Sequence, residues 1–314
     1  MVVIFLRSLY HSEMLKVLIT GGNGFVGRHL QNYLRNTVGE KGDYIISIFD
    51  LSQGDDIRNF ESVRTRIDQF QPDYIFHLAA QAYVPESTMN PRRGFETNLT
   101  GTLNILESVR QTGMHSRILV SGTSEEYGYD RDDLELTEES VAKPTTPYGV
   151  SKLAATTLCS TYSRIYGTNI VVTRAWNHIG PGASPSYAVS AFAKRVAEAE
   201  KFGTVIHHGN LDAIRNYTDV RDIVKAYRLA IDLESGIYNL ASKNTVSTRE
   251  VLTDLTSLAD KKVQTCENPH LFRQMSDKFP NPNYGKFSKM TGWAPSYELK
   301  ETLLDTLNFW RGIV

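Results

Sequence analysis

Residues 20–27 read TGGNGFVG, directly after the apolar run Val17 to Thr20 and directly before the amphipathic stretch Gly27 to Leu34. Gly22, Gly24 and Gly27 satisfy a GxGxxG spacing, and Gly21, Gly24 and Gly27 satisfy GxxGxxG. A glycine turn between strand and helix presents bare backbone N–H groups at the positive end of a helix dipole, where a pyrophosphate is held. A tight turn with no ligand is the alternative. With strand and helix both in place, the binding reading is preferred, and with it a Rossmann-type, doubly wound α/β fold.

Outward from that turn, short β-branched runs alternate with helical stretches, the pattern of parallel strands joined by right-handed crossovers. Strands are expected at Val17 to Thr20, Ile45 to Phe49, Tyr74 to Leu78, Arg117 to Ser121, Ile170 to Thr173 and Ile237 to Leu240. Helices are expected at Gly27 to Leu34, Phe60 to Phe70, Phe95 to Thr112, Tyr148 to Tyr166 and Val220 to Asp232. The second strand ends in Asp50, an acceptor suited to adenosine ribose hydroxyls that favours NAD over NADP; the Asp56-Ile57 pair competes for the adenine end.

After Arg174 the texture changes to NHIGPGASPSY, followed by a helix over Ala188 to Phe202, and the chain ends in the amphipathic Leu299 to Trp310. This reads as a smaller cap interleaved with the sheet. The expected division is a dinucleotide-binding part at 14–175 and 216–250, a substrate-binding part at 176–215 and 251–314, and a tail at 1–13, with Met14 an alternative start.

Bulk properties set the class. The 314 residues can bury one large α/β core or a core with a companion domain, and 41% hydrophobic with 22% charged residues is ordinary globular composition. A net charge of -1 offers no field for nucleic acid, no stretch is long and apolar enough to span a membrane, and Cys159 and Cys266 stand far apart without metal-ligand spacing. No metal site is expected, and the reading is cytoplasmic.

Tyr148 and Lys152 lie four apart at the start of a helical stretch, so both project from one face. A phenol with an ordinary pKa of about 10 is a poor base at neutral pH, and a nearby ammonium favours its ionised form. Hydride transfer to or from a carbonyl needs such a proton-handling group. The heptapeptide GTSEEYG at residues 122–128 follows a strand and puts two carboxylates, Glu125 and Glu126, beside two hydroxyls. Catalytic carboxylates and a solvated turn are both compatible with it.

Together TGGNGFVG, HLAAQ (His77 to Gln81), TSEEYG and YGVSK, in this order, resemble the extended short-chain dehydrogenase/reductase family, sugar-nucleotide branch. The likeness runs from Lys16 to Arg311 and includes NHIGPG, GNLDAIRNYTDVRDIVKAY and the TGW at residues 291–293. It implies NAD or NADP bound along Gly21, Gly24, Phe25, Val26, Gly27, Leu78, Ala79 and Ala80. It implies Thr123 on the reacting sugar hydroxyl, Tyr148 as acid/base and Lys152 on the nicotinamide ribose. Ser124, Glu125, Asn177 and Arg215 fall at the family's substrate positions, and Arg273 matches its arginine-rich segment loosely. Glu126 is expected to be structural.

Within the branch the set most resembles GDP-6-deoxy-4-keto-mannose reductases, with GDP-mannose 4,6-dehydratases next. A reductase needs no acid beyond Tyr148, whereas a dehydratase would use Glu125 to expel water. Thr-Ser-Glu agrees with the dehydratase pattern; the loop GGNGFVG and the segment GPGASPSYAVSAFAKRVAEAE follow the reductase form, and reductase is the reading preferred. A dinucleotide-sensing scaffold without turnover is the non-enzymatic alternative. The resemblance further implies a homodimer through helices near Phe95 to Thr112 and Tyr148 to Tyr166.

Overall fold

In a computed structural model, which describes residues 14–37, 44–129, 135–243, 245–272 and 281–314, the chain alternates strand and helix through its first half. The elements in order are β1 (Leu15–Thr20), α1 (Phe25–Asn36), β2 (Tyr44–Phe49), α2 (Phe60–Phe70), β3 (Tyr74–His77), α3 (Val84–Met89), α4 (Pro91–Phe95), α5 (Gly101–Thr112), β4 (Arg117–Ser121), β5 (Glu135–Leu136) and α6 (Pro147–Tyr166). The second half contains β6 (Ile170–Ala175), β7 (Asn177–Ile179), α7 (Ala188–Phe202), β8 (Ile206–His208), β9 (Ile214–Asp219), α8 (Val220–Ala230) and β10 (Gly236–Leu240). It ends with β11 (Thr245–Ser247), α9 (Thr248–Ser257), β12 (Thr265–Glu267), β13 (Asn281–Pro282), α10 (Gly285–Thr291) and α11 (Leu299–Arg311).

Six strands form one parallel sheet in the order β10-β6-β4-β3-β1-β2. Its strands are near-continuous apolar runs because both faces are covered. On one face, Leu30 and Leu34 of α1 meet Ile223 and Tyr227 of α8; on the other, Val63 and Ile67 of α2 meet Ile105 and Val109 of α5, with Cys159 of α6. The order reverses at β1, where Thr20 lies between Phe49 of β2 and His77 of β3, and ligands of open α/β sheets bind above such a switch point.

A second, three-stranded sheet, β11-β9-β7, starts immediately past β6 and packs under α7, α9 and α11 around Phe192, Val196, Leu255, Leu303 and Leu307. The later chain does not stay there. Phe287 and Trp293 join the cluster on the main sheet beside Tyr238 and Ala226, so the TGW stretch expected with the cap covers the sheet instead.

The single helix expected over Phe95 to Thr112 is interrupted. Glu96–Thr100 forms a π-helical turn between α4 and α5, a geometry that inserts one extra residue and turns a side chain inward. Here that residue is Asn98, buried and bonded across to α6 and to the loop after β3. Gly101 then lets α5 approach closely, since a Cβ would lie 2.9 Å from the Ile57 side chain.

Candidate active site

The glycine turn is built by close approach. Gly21 has φ +68° and a Cβ there would stand 2.8 Å from Ala79 N; a Cβ on Gly27 would stand 2.5 Å from the carbonyls of Gly21 and Gly22. Gln31, one turn further along α1, donates to Gly22 O at 2.8 Å and holds the loop closed. Gly24 caps α1 without any side-chain hydrogen bond, and the first turn carries no acid. A bare helix N-terminus over a glycine cradle fits the diphosphate of a dinucleotide.

Asp50 sits beside it, accepting from Asn23 N and Ser52 N, both at 2.9 Å, and from Ser52 Oγ at 2.7 Å. Burial pushes its carboxyl up, but the Ser52 and Asn23 hydrogen bonds outweigh that and hold it below the usual range. Asp56 is engaged otherwise, gripped by Arg58 at 2.6 Å, while Ile57 is buried and its carbonyl accepts from Asn104 at 2.9 Å. The HLAA segment crosses above β1: Leu78 N donates to Thr20 O at 3.1 Å and Ala79 N to Thr20 Oγ1 at 3.2 Å, with Ala80 next in line.

The two glutamates separate sharply. A single 3₁₀ turn over Ser124–Glu126 begins at Thr123, whose Oγ1 accepts from Glu125 N while Glu126 Oε1 accepts from Thr123 N at 3.1 Å. The other Glu126 oxygen meets Arg174 Nε at 2.8 Å, with the two side chains 0% and 4% exposed. Arg174 in turn lies 4.6 Å over the Tyr127 ring, whose hydroxyl donates to Asn239 at 2.8 Å. Glu126 is thus a buried anchor for Thr123, agreeing with the structural role expected of it. Its neighbour Ser124 is buried in the same turn.

Glu125 faces the opposite way, accepting from Tyr129 Oη and, at 3.4 Å, from Thr146 Oγ1. Burial pushes its carboxyl up to about 7, against the pull of Thr146 and the Arg215 guanidinium. At neutral pH it is therefore poised between its two forms.

Thr146 also caps α6, accepting from Gly149 N at 3.0 Å, and Pro147 starts the helix. Gly149 permits contact with the glutamate turn, because a Cβ there would lie 2.6 Å from Glu125 O. Tyr148 is thereby delivered beside Thr123, whose side chain acts on its phenol. Burial pushes the Tyr148 phenol up; Thr123 opposes this, and Glu125, Tyr187 and Glu126 add to it. The phenol therefore stands above its ordinary value, opposite to the lowering expected from a neighbouring ammonium. Lys152 is buried and its ammonium pushed down, with Glu126 and Cys159 its main charged or polarisable neighbours. In the resting site the phenol is held in its protonated form.

Sequence reasoning missed three supports. Asn98 bonds Gln81 N at 2.8 Å, Gln81 O at 3.1 Å and Ser151 Oγ at 2.9 Å, tying the HLAAQ loop to the catalytic-helix candidate; Ser151 Oγ donates to Tyr148 O at 2.7 Å. The π turn that aims Asn98 inward has no mark in hydrophobic periodicity. Arg174 could have been suspected as a charge inside an otherwise apolar strand. His77 bridges Thr20 at 2.7 Å and Thr102 at 3.1 Å and is buried.

Burial, aided by the Lys152 charge, pushes His77 down to about 3. Its ordinary value is about 6.5, so the unfolded chain binds a proton that the folded chain does not. The stability from this group is complete above about pH 6.5 and is lost as pH falls toward the folded value, at about 1.4 kcal/mol per pH unit. His77→Gln is expected to flatten the loss between about pH 7 and pH 4.5 by about 2.5 kcal/mol, read from urea midpoints at each pH.

On the substrate side, Asn177 opens β7 and its side chain donates to Asn216 O at 3.4 Å. Arg215, on the adjacent β9, donates to Ile214 O at 2.7 Å and stands 5.7 Å over the Tyr129 ring. Asp219 and Asp222, its conceivable surface partners, are used elsewhere, by Arg221 at 2.7 Å and by Ser296 Oγ at 2.7 Å. Arg273 lies outside the described residues. Thr123, Glu125 and Tyr148 are thus close neighbours, Arg215 acts on Glu125, and Asn177 stands on the strand paired with the one that carries Arg215.

A family model described as GDP-mannose 4,6 dehydratase matches residues 18–306. The chain belongs to that family. Among its relatives, GDP-6-deoxy-D-mannose reductase of Pseudomonas aeruginosa is 30% identical over 307 residues, covering 95% of this chain and 98% of that protein. The structure of RMD from Pseudomonas aeruginosa complexed with NADPH superimposes with a TM-score of 0.86 at 28% identity, over 96% of this chain and all of the other. UDP-glucose 4-epimerase from Thermus thermophilus, complexed with NAD, gives 0.84 at 28% identity over 96% and 100%. The family is one of extended short-chain dehydrogenase/reductases, and the parallel six-stranded sheet is theirs. Among the described residues no helix is long and apolar enough to cross a membrane.

Proposed function

We propose that the protein reduces the C4 ketone of a GDP-4-keto-6-deoxyhexose to the GDP-6-deoxy sugar, using NADH or NADPH. The observation that carries this reading is the Thr123–Tyr148 hydroxyl pair at the carboxyl edge of the sheet, with the phenol kept protonated by burial. The full-length similarity to a GDP-6-deoxy-D-mannose reductase supports it.

A reduced dinucleotide, held at its diphosphate by the glycine loop, would supply the hydride. Gly21 to Gly27 hold the diphosphate, with Leu78 to Ala80 flanking it. Asp50, ionised and fixed by Asn23 and Ser52, receives the ribose hydroxyls and would repel a 2′-phosphate, so NADH is expected to be the better donor. Tyr148 transfers its phenolic proton to the ketone oxygen, and its O–H bond breaks as the alcohol forms. Thr123 donates to the same oxygen, orienting it before transfer and stabilising the charge that develops on it. Lys152, one turn along α6 from Tyr148, would hold the nicotinamide ribose. Arg215 and Asn177 hold the sugar diphosphate, as a guanidinium suits paired phosphate oxygens. The dinucleotide part is 14–175 with α8 and β10, and the sugar-nucleotide part is the β11-β9-β7 sheet with α7, α9 and α11 rather than the expected 176–215 with 251–314, the Phe287–Trp293 stretch lying against the former.

Glu125 supports a second reading. A carboxyl at about 7 is equipped to expel water, as a GDP-mannose 4,6-dehydratase requires. One assay separates the two. Protein given the GDP-4-keto-6-deoxy sugar with NADH or NADPH is expected to oxidise the coenzyme, and Glu125→Gln to keep that rate within about tenfold, since one positioned acid/base is worth about 10²–10⁴ where it is used. Loss of water from GDP-mannose without net coenzyme change would overturn the reductase reading.

Two copies are proposed to pair through α5 and α6, which present Leu103, Val150 and Ile165 to solvent. Light scattering is expected to return twice the 35.3 kDa chain mass; a monomer at micromolar concentration would exclude this pairing.

A further inference from the structure

We propose that the Phe25–His29 face of α1 is pinned to the substrate-side segment Asn177 to Gly182, so that dinucleotide and nucleotide sugar bind cooperatively, with His29 as the positioning residue. This rests on the reading that the glycine loop holds a dinucleotide and that Asn177 and Arg215 face a nucleotide sugar. The contact itself is physical. His29 Nε2 meets Pro181 O at 2.8 Å, across 152 residues of chain. Because a carbonyl can only accept, the imidazole carries its proton on Nε2. One turn back, the Phe25 ring is held edge-on by His29 at 5.4 Å and stacks on His178 at 6.3 Å with planes 16° apart.

The segment has little room to shift. Gly180 has φ +151°, and a Cβ there would stand 2.8 Å from Val220 Cγ1 and 3.8 Å from the Phe25 ring, so the loop is pressed between α1 and the start of α8. His178 also follows Asn177 directly on β7, and β7 pairs with β9, which carries Arg215: Asn177 lies against Tyr217 and His178 against Thr218. The route from the bare N-terminus of α1 to the two substrate-side residues is therefore one hydrogen bond, one ring stack and one strand pair long.

A diphosphate on the first turn of α1 orders the very residues that grip the 177–182 segment, and a ligand on Asn177 orders the same segment from its other side. Each ligand reduces the ordering left for the other. Linkage makes the effect reciprocal. His29 reaches Pro181 and Phe25 rather than Asn177 or the glycine turn, which distinguishes it from the residues proposed to hold the ligands.

The test is calorimetric titration of the full-length protein with GDP, alone and with saturating NADH, and with NADH, alone and with saturating GDP. In the wild type each ligand is expected to tighten the other by the same factor. His29→Leu, which keeps volume but lacks the donor, is expected to lose about fivefold of that factor, the equilibrium worth of one hydrogen bond, while its affinity for NADH alone changes less than twofold. His29→Gln, which restores an N–H near the same place, is expected to recover it, and the recovery rules out simple misfolding. Independent binding in the wild type, or undiminished coupling in His29→Leu, overturns the inference. Failure of the wild type to bind either ligand alone would instead overturn the reading of the site.

Discussion

Tyr148→Phe is expected to lower ketone reduction about 10³-fold, within the range by which a positioned general acid accelerates proton transfer. The substitution removes one oxygen from a buried pocket and leaves the ring, so the α6 helix and its Thr146 cap remain. NADH or NADPH affinity is expected to stay within about threefold, because the phenolic hydroxyl meets Thr123 rather than the glycine loop. The wild-type pH profile carries a second expectation. Burial pushes the phenol above its ordinary value, so its protonated, proton-donating form persists through the neutral and mildly alkaline range. The rate of reduction should show no alkaline fall from Tyr148 up to about pH 9, below the ordinary phenol value of about 10. Steady-state coenzyme oxidation at several pH values checks both, and a Tyr148→Phe rate within tenfold of wild type would remove Tyr148 from the mechanism.

Glu126→Ala is expected to destabilise the fold by about 3–5 kcal/mol, the cost of stranding one member of a buried ion pair. Arg174 would remain 4% exposed with no carboxylate beside it. Turnover should fall as well, because Glu126 Oε1 is the acceptor that fixes Thr123 N at 3.1 Å. The two effects can be separated. Replacing the pair with apolar residues, Glu126→Leu with Arg174→Met, leaves no stranded charge and is expected to regain most of the lost stability. It cannot regain turnover, since Thr123 still lacks its acceptor. Urea midpoints and coenzyme oxidation measured on the same preparations decide this. Recovery of both together would mean that Glu126 acts through stability alone.

Much of the site was legible as spacing. TGGNGFVG lies between β1 and α1, and Tyr148 and Lys152 fall at the start of α6, because strand and helix periods act over a few residues and are written in consecutive side chains. The interrupted α4–α5 region was not legible. Its π turn answers to Asn98 reaching Gln81 and Ser151, partners 17 and 53 residues away. Nor could the two adjacent carboxylates be told apart in GTSEEYG, where each has the same chemistry and nearly the same neighbours.

Sequence by itself determined the parallel sheet, the glycine turn at its switch point and the placing of Tyr148 and Lys152 in the first turns of one helix. Tertiary structure decided their states. Glu126 became an anchor because Arg174, 48 residues away, faces it in a dry interior. Glu125 remained titratable near neutrality because burial opposes its charge more strongly than Thr146 and Arg215 support it. The Tyr148 phenol keeps its proton because its buried surroundings disfavour the phenolate. Ionisation depends on desolvation and on charges brought close by folding, and neither is a property of neighbouring letters in the chain.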